Sequence, residues 1–297
     1  MNVHLQQPAW RGELRENEPM ARHCSWRCGG SADWYYEPVG KQDLALFMRE
    51  FVHTQPVTWV GLGSNLLVRD GGLPGVAIVV LKQLGQLKLD THGRVYAEAG
   101  VTCARMARFC NQHGFSGGDF FAGIPGTIGG ALTMNAGAFG YETWNYVDAV
   151  EMMDRHGQLT KRGREEFDVT YRSVRRSDDE WFSAGWFRFP ARDETEQSRV
   201  RELLDRRNST QPIGLPSCGS VFKNPPNDHA ARLIEACGLK GQCIGKACVS
   251  EKHANFIINT GNARANDIED LIDLVQQRVQ QEFSVNLQHE VRIVGER

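Results

Sequence analysis

The sequence predicts a mixed α+β chain in two parts. Three observations lead there. From about residue 31 to 190, apolar residues come mostly in short β-rich runs bounded by glycine, with helical spacing in only two places. Glycine is concentrated, with 17 of the 31 glycines in residues 61–140. Beyond Pro190 the pattern changes: residues 192–208 are strongly charged, and helical spacing dominates from there to about residue 283.

Residues 1–20 read as a loosely packed arm. Trp34-Tyr35-Tyr36 is an aromatic strand-like run. Leu44, Phe47, Met48 and Phe51 share one helical face. Val57 to Val60, a glycine turn at Gly61 to Asn65, and Leu66 to Val68 read as strand, turn, strand. Gly75 to Leu81 and Leu84 to Ala99 add short strands. Thr102 to His113 is a helix closed by Gly114. Residues 145–190 return to β patterning. Val200, Leu203 and Leu204 form the narrow apolar stripe of a surface helix bridging two domains. Residues 229–237 form a short helix stopped by Gly238. A longer helix over 267–283 has Ile268, Leu271, Ile272, Val275 and Val279 on its apolar face, with Asn266 and Glu269 as its capping pair. Val285 to Val294 alternates like a strand, which turns Glu290 and Arg292 to the same face.

Bulk properties exclude several function classes. The balance of 34 Lys+Arg against 36 Asp+Glu argues against a basic nucleic-acid groove. The longest apolar run, Val76 to Leu81, is far short of the ~20 residues a spanning helix needs. The first 20 residues lack the apolar core of a signal peptide, so the expected location is the cytoplasm. None of the eight cysteines forms a C-x-x-C, so reduced thiols are expected and no metal site. His23, Cys24 and Cys28 are the weak exception.

Gly61-Leu62-Gly63 invites a dinucleotide reading, but the Rossmann fingerprint fails. Leu66 stands where the third glycine belongs, and a strand comes after it instead of a helix. Glycine's physical use remains. Successive backbone N–H groups in a tight turn make an anion site, and missing side chains let a pyrophosphate approach. The loops 61–65 and 123–130 could embrace one dinucleotide, or could be turns of a loop-rich β fold. Small residues around Ser220 expose it beside Lys223 and Asn224. The same pattern also fits a turn with capping hydroxyls. A Cys218 nucleophile would need His253 or His289 brought near by the fold.

Taken in order, these segments resemble the UDP-N-acetylenolpyruvoylglucosamine reductase (MurB) family of flavoenzymes. The matching blocks are Ser25 to Ala32, Gly61 to Leu67, Gly123 to Gly130, Asn135 to Ala138, Tyr171-Arg172, Gly219 to Pro225, Lys252-His253-Ala254-Asn255-Phe256, and Glu290-Val291-Arg292. In two places the chain departs from the family. Ser173 comes directly after Arg172, where the family has one residue between. Ser25 stands where the family usually has threonine.

The resemblance implies an FAD-binding domain of the vanillyl-alcohol-oxidase (PCMH) type over residues 20–191, in subdomains of about 20–55 and 56–191. It also implies a C-terminal α+β substrate-binding domain over 192–297. The short stretch from Arg172 to Ser220 looks like the family type without the extra tyrosine loop. FAD would be held without a covalent bond, because the glycine loop offers no His or Cys. The FAD-binding residues implied are Gly61, Gly63, Ser64, Asn65, Leu66, Gly123, Ile124, Pro125, Gly126, Thr127, Gly129, Gly130, Ala136 and Gly137.

The implied reaction, in peptidoglycan precursor synthesis, is NADPH-dependent reduction of an enolpyruvyl UDP-sugar. Hydride passes from reduced FAD to C3, and C2 is protonated. By the same resemblance Arg172 and Glu290 sit at the substrate carboxylate and Ser220 protonates C2. Tyr171, Lys223, Asn224, Lys252 and Arg292 hold substrate, with Arg206 or Arg207 as further phosphate ligands. The expected partners are the UDP-sugar and NADPH, with no nucleic acid or membrane, and the chain acts as a monomer. Two other readings compete: an oxygen-using flavin oxidase of the same fold, and a nucleotide-sugar binding protein without catalysis.

Overall fold

The structure is a computed structural model that describes residues 9–193 and 198–297. The first sheet is built on the order β1-β2-β5-β3, with β1 Glu13–Pro19, β2 Ser31–Glu37, β3 Val57–Val60 and β5 Leu73–Val79. β5 runs parallel to β2 and β3 and is buried on both faces, which explains its unbroken Val76-Ala77-Ile78-Val79. Helix α1, Lys41–Glu50, lays Leu44, Phe47 and Met48 over one face, against Tyr36, Val76 and Ile78. Tyr35, Val60 and Ala77 fill the other face with Met20 and Val68, the latter from β4, Leu66–Val68.

The second sheet carries β6 Leu87–Leu89, β7 Val95–Glu98, β8 Val147–Asp154, β9 Leu159–Gly163 and β10 Glu180–Phe187, in the order β9-β8-β10-β7-β6. Helices α2, Cys103–Gln112, and α3, Ile128–Met134, cover it. Met106, Phe120, Phe121 and Leu132 pack against Val95, Val150 and Phe187. Gly114 ends α2 in the left-handed conformation, as the sequence predicts.

The third body holds α5 Ala230–Ala236, α6 Ala265–Phe283, and the small sheet of β11 Cys243–Ile244, β12 Ala247–Val249 and β13 Ile257–Asn259. Leu233, Ile234, Ile268, Leu271, Ile272, Val275 and Val279 make its core. Trp26 and Leu67 from the N-terminal half enter the same core. The Trp26 indole N–H donates to Ile257 O (2.8 Å), and Asn259 Nδ2 donates to Trp26 O (2.8 Å). The last strand, β14 Arg292–Val294, pairs in parallel with β4. α4, Val200–Thr210, buries Leu203 on its narrow stripe. At its start Arg199 N donates to Asp119 Oδ2 (2.7 Å), and near its end Asn208 O accepts from Lys252 Nζ (2.6 Å).

Four expectations are corrected. Residues 13–19 of the expected arm form β1, paired along β2 from Glu13↔Glu37 to Pro19↔Ser31. Backbone bonding holds this edge strand, and its charged side chains suit an exposed edge. Residues 1–8 of that arm and 194–197 before α4 lie outside the described residues. The start of α6 is not capped by Asn266 and Glu269. Asp267 Oδ2 accepts from Arg264 N (3.0 Å), and Asp70 Oδ1 and Oδ2 accept from Ala265 N and Asn266 N (3.0 Å each). Residues 285–291 are not a strand. Their alternation records the burial of Leu287 and Val291, while the backbone bonds that would extend β14 go to the Val221–Lys223 segment. Finally, Cys243 and Cys248 are opposed across the β11-β12 hairpin and joined as a disulfide; the other six cysteines are free.

Glu269 ties the halves together. Its carboxylate takes Arg69 Nε and Nη2 (3.0 and 2.8 Å) and Arg297 Nη2 (3.0 Å). The Arg69 hydrogen bonds above all hold its pKa below the usual carboxylate value. A lowered folded pKa stabilises above the unfolded value, about 4.3, and that contribution is lost as pH falls through the folded value. Glu269→Gln should therefore cost about 2 kcal/mol at neutral pH. The gap from the parent should close below about pH 4. Urea midpoints measured against pH check this, and a gap that does not narrow in acid would refute it.

Candidate active site

The two glycine loops face each other across a cleft of about 970 Å³. Gly61, Gly63, Ser64, Asn65 and Leu66 line one wall, between β3 and β4. Gly123, Ile124, Pro125, Gly126, Thr127, Gly129 and Gly130 line the other, with Ala136 and Gly137 beyond α3. The glycines serve two purposes. A Cβ on Gly61 would meet Thr127 Oγ1 at 2.4 Å, and one on Gly63, at φ +64°, would meet His23 O at 1.9 Å. These two let the walls close. By contrast, a Cβ on Gly126 or Gly130 would find no protein atom nearer than 3.5 and 3.9 Å. No neighbouring protein atom requires glycine there. A ligand lying close along that wall would require it, which fits the flat, anionic body of a dinucleotide.

Three further chain segments line the same cleft. The first is the tight turn Tyr171-Arg172 between the paired residues Thr170 and Ser173, with Arg172 left-handed at φ 55°. Its guanidinium is held by Asn135 O (3.3 Å) and Gly137 O (2.9 Å), so its support comes from the end of α3 and not from its own hairpin. Buried Asn135 is itself fixed: Nδ2 donates to Glu142 Oε2 (2.8 Å) and Thr170 O (3.1 Å), and Oδ1 accepts from Trp144 N (3.1 Å).

The second segment carries Ser220, half-buried on the cleft wall. The third carries Glu290 and Arg292, both lining the cleft. Arg172 Nε lies 3.1 Å from Glu290 Oε1. Burial pushes the Glu290 carboxyl above its ordinary pKa, while Arg172 and Lys223 pull it back. Tyr171 is exposed, and its ring lies 4.9 Å from the Arg172 guanidinium carbon.

The structure distributes the remaining candidates unevenly. Asn224 lines the cleft, and its Oδ1 accepts from Ala230 N (3.1 Å) at the start of α5. Lys223 is not among the lining residues; it lies near enough to Glu290 to act through charge. Lys252 is not brought to the cleft at all. With its Nζ on Asn208 O, it faces a second cavity beside Cys243 and Cys248. Arg206 and Arg207 do reach the cleft. Arg207 Nε donates to Gln211 Oε1 (3.1 Å), and burial lowers its pKa.

Two cleft features escaped the sequence reading. Arg176 donates to Ser177 O and Glu180 O, and burial and nearby Arg292 lower its pKa. Trp59 and Trp181 stack at 5.6 Å on the cleft's inner wall. Charge alone could have flagged Arg176; the tryptophans, 122 positions apart in the chain (181 minus 59), left no local signal.

Cys218 is not a nucleophile here. It is buried, its thiol donates to Leu66 O (3.4 Å), and burial pushes its pKa up. His289 Nδ1 lies 2.9 Å from Val291 O, not at the thiol. His23 pairs with Glu18 (2.8 Å), the Cys24 thiol donates to Cys28 O (3.1 Å), and no metal-binding cluster occurs among the described residues.

Comparison with known proteins now places the chain. Residues 32–163 match the FAD binding domain family. The two sheets, the glycine cleft and the appended third body define an FAD-binding flavoprotein of the vanillyl-alcohol-oxidase type with a C-terminal α+β domain. Residues 211–294 match the family UDP-N-acetylenolpyruvoylglucosamine reductase, C-terminal domain. A protein of that name from Alkalilimnicola ehrlichii is 56% identical over 286 residues, 96% of either chain. One from Nitrosomonas eutropha is 49% identical, covering 96% of this chain and 90% of its own. The crystal structure of the reductase from Thermus caldophilus superposes with a TM-score of 0.81 at 30% identity, covering 96% of this chain and 99% of that one. The chain belongs to the UDP-N-acetylenolpyruvoylglucosamine reductase family.

Replacing Arg172 by Met removes the nearest positive charge from Glu290. The Glu290 carboxyl, already raised, should rise further, and the protonated form should persist to higher pH. Carbon-13 NMR of labelled glutamate side chains reads this directly; an unchanged or lowered pKa would show that Arg172 does not set the charge of Glu290.

Proposed function

We propose that the protein reduces UDP-N-acetylglucosamine enolpyruvate to UDP-N-acetylmuramate in peptidoglycan precursor synthesis, as an NADPH-dependent UDP-N-acetylmuramate dehydrogenase. The two glycine loops would hold FAD without a covalent bond, and that group, with NADPH as its reductant, would provide hydride chemistry toward C3 of the enolpyruvyl group. The observation that carries the reading is that Arg172, Glu290 and Ser220 all line the glycine cleft, with Arg172 Nε 3.1 Å from Glu290 Oε1.

Each residue has a physical task. As C3 gains the hydride, negative charge grows at C2 and in the adjoining carboxylate. Arg172, immobilised by two carbonyls, meets that charge without having to reorganise. Glu290, raised by burial, takes up a proton when the anionic substrate arrives, so that it donates a hydrogen bond instead of repelling. Ser220 holds the proton that passes to C2; serine is a weak acid, but its target is strongly basic. Tyr171, Asn224 and Arg292 orient the sugar and the carboxylate, and Lys223 acts through charge on Glu290. Arg176, Arg206 and Arg207 face the phosphates in place of Lys252.

The chain divides for this purpose into residues 20–191 for FAD, with subdomains of about 20–55 and 56–191, and 192–297 for substrate. We take a monomer as the working unit. Among the described residues no helix is long and apolar enough to cross a membrane. The substrate and NADPH are cytoplasmic metabolites, so we place the protein in the cytoplasm.

The purified protein should be yellow and release FAD when denatured. Ser220→Ala should still be bleached by NADPH under anaerobic conditions. Recolouring by the enolpyruvyl UDP-sugar should then slow by about 10²–10⁴-fold, the usual span of a general acid. A colourless protein that takes up no FAD would overturn the whole reading; normal recolouring would remove Ser220 from its role.

A further inference from the structure

The segment Lys252 to Phe256 has no phosphate-binding role once Lys252 is seen to face away from the cleft, and another of its residues lies closer to the chemistry. Asn255 is 3% exposed and lines the cleft behind Ser220. Its amide grips Phe222 from both sides: Oδ1 accepts from Phe222 N (2.9 Å) and Nδ2 donates to Phe222 O (2.8 Å). Its own main-chain oxygen accepts from Val221 N (2.9 Å). A planar carboxamide with an acceptor and a donor side by side imitates a peptide unit, and only asparagine does so at this reach.

The opposite edge of the same segment is bonded to the chain around Glu290. Glu290 N donates to Val221 O (2.7 Å), and Lys223 N donates to Gln288 O (2.8 Å). Just before Ser220, the Cys218 thiol is anchored on Leu66 O, and Gly219 is left-handed at φ 75°. Ser220 therefore follows a left-handed turn at Gly219, and the segment just after it, Val221 to Lys223, is clamped between Asn255 and the Gln288–Glu290 backbone.

We propose that Asn255 is the positioning residue for Ser220: it sets where the serine hydroxyl stands relative to Glu290 and to the cleft. The inference rests on Ser220 being the proton donor. Misplacement of a reacting group by about 1 Å can cost about 100-fold in rate. Loss of the clamp acts only on the step that uses Ser220.

Anaerobic stopped-flow on the FAD-loaded protein separates the two half-reactions for Asn255→Ala, Asn255→Asp, Ser220→Ala and the Asn255→Ala/Ser220→Ala pair. Asn255→Ala should be reduced by NADPH within about three-fold of the parent rate, while reoxidation by the enolpyruvyl UDP-sugar falls by about 100-fold. The double variant should be no slower than Ser220→Ala alone, because Asn255 works through Ser220. Losses that multiply, or reoxidation of Asn255→Ala at the parent rate, would overturn the inference while leaving Ser220 in place. Parent-rate reoxidation of Ser220→Ala would instead sink the Ser220 reading, and the inference with it. If Asn255→Ala sheds FAD, Asn255→Asp carries the test, since it keeps the acceptor for Phe222 N and sets a second acceptor oxygen against Phe222 O where the donor stood. A fall of about ten-fold in its reoxidation supports the clamp, and an unchanged rate overturns it.

Discussion

The active cleft depends on the return of the last strand to the first half of the chain. β14 lies parallel to β4, pairing Arg292 with Leu66, Ile293 with Leu67 and Val294 with Val68. At the point of contact Asn65 closes the join twice: its Nδ2 donates to Glu290 O (3.1 Å), and its main-chain oxygen accepts from Arg292 N (2.9 Å). One residue of the glycine loop thus holds the backbone on both sides of Val291. A slip of one residue in this pairing would exchange the faces of Glu290 and Val291, burying the acid in the core and turning the valine into the cleft. Trp26 and Leu67, packed into the C-terminal core, keep that register from sliding.

Electrostatics depend on this geometry. The cleft gathers Arg172, Arg176, Arg206, Arg207 and Arg292 against Asp178 and Glu290, although the whole chain carries a net charge of only −2. A local excess of cations on low-dielectric walls attracts anionic ligands without making the surface basic. Within that excess Glu290 is the exception. Burial favours its neutral form and Arg172 its charged form, so a modest change in surroundings, such as an arriving carboxylate, can move its proton.

Much of the fold was legible because local patterns and tertiary environment agree. β5 is an unbroken apolar run because it is buried on both sides, and α2 ends at Gly114 because only glycine accepts that turn cheaply. Legibility failed wherever the deciding partner is remote. β1 exists through its ladder to β2, which no periodicity in a charged heptapeptide reveals. α6 is capped by Asp70, 195 and 196 positions away from the amides it accepts. The alternation of 285–294 becomes a strand only over Arg292–Val294; before that it recorded the burial of Leu287 and Val291.

The sequence by itself supplied the candidate groups of the cleft: the glycine walls, the arginine after Tyr171, the serine of the Gly219 to Pro225 block, and the terminal acid and arginine. Residue type fixes which functional groups are available, but not how they behave. Tertiary structure alone decided their company. It gave Arg172 its support from Asn135 and Gly137 and turned Cys218 from a possible nucleophile into an anchor. It moved Lys252 out of the cleft and set Asn255 against Phe222. The physical reason is common to all of these. Hydrogen bonds and burial depend on distances of about 3 Å between segments far apart in the chain, and no local pattern encodes such distances.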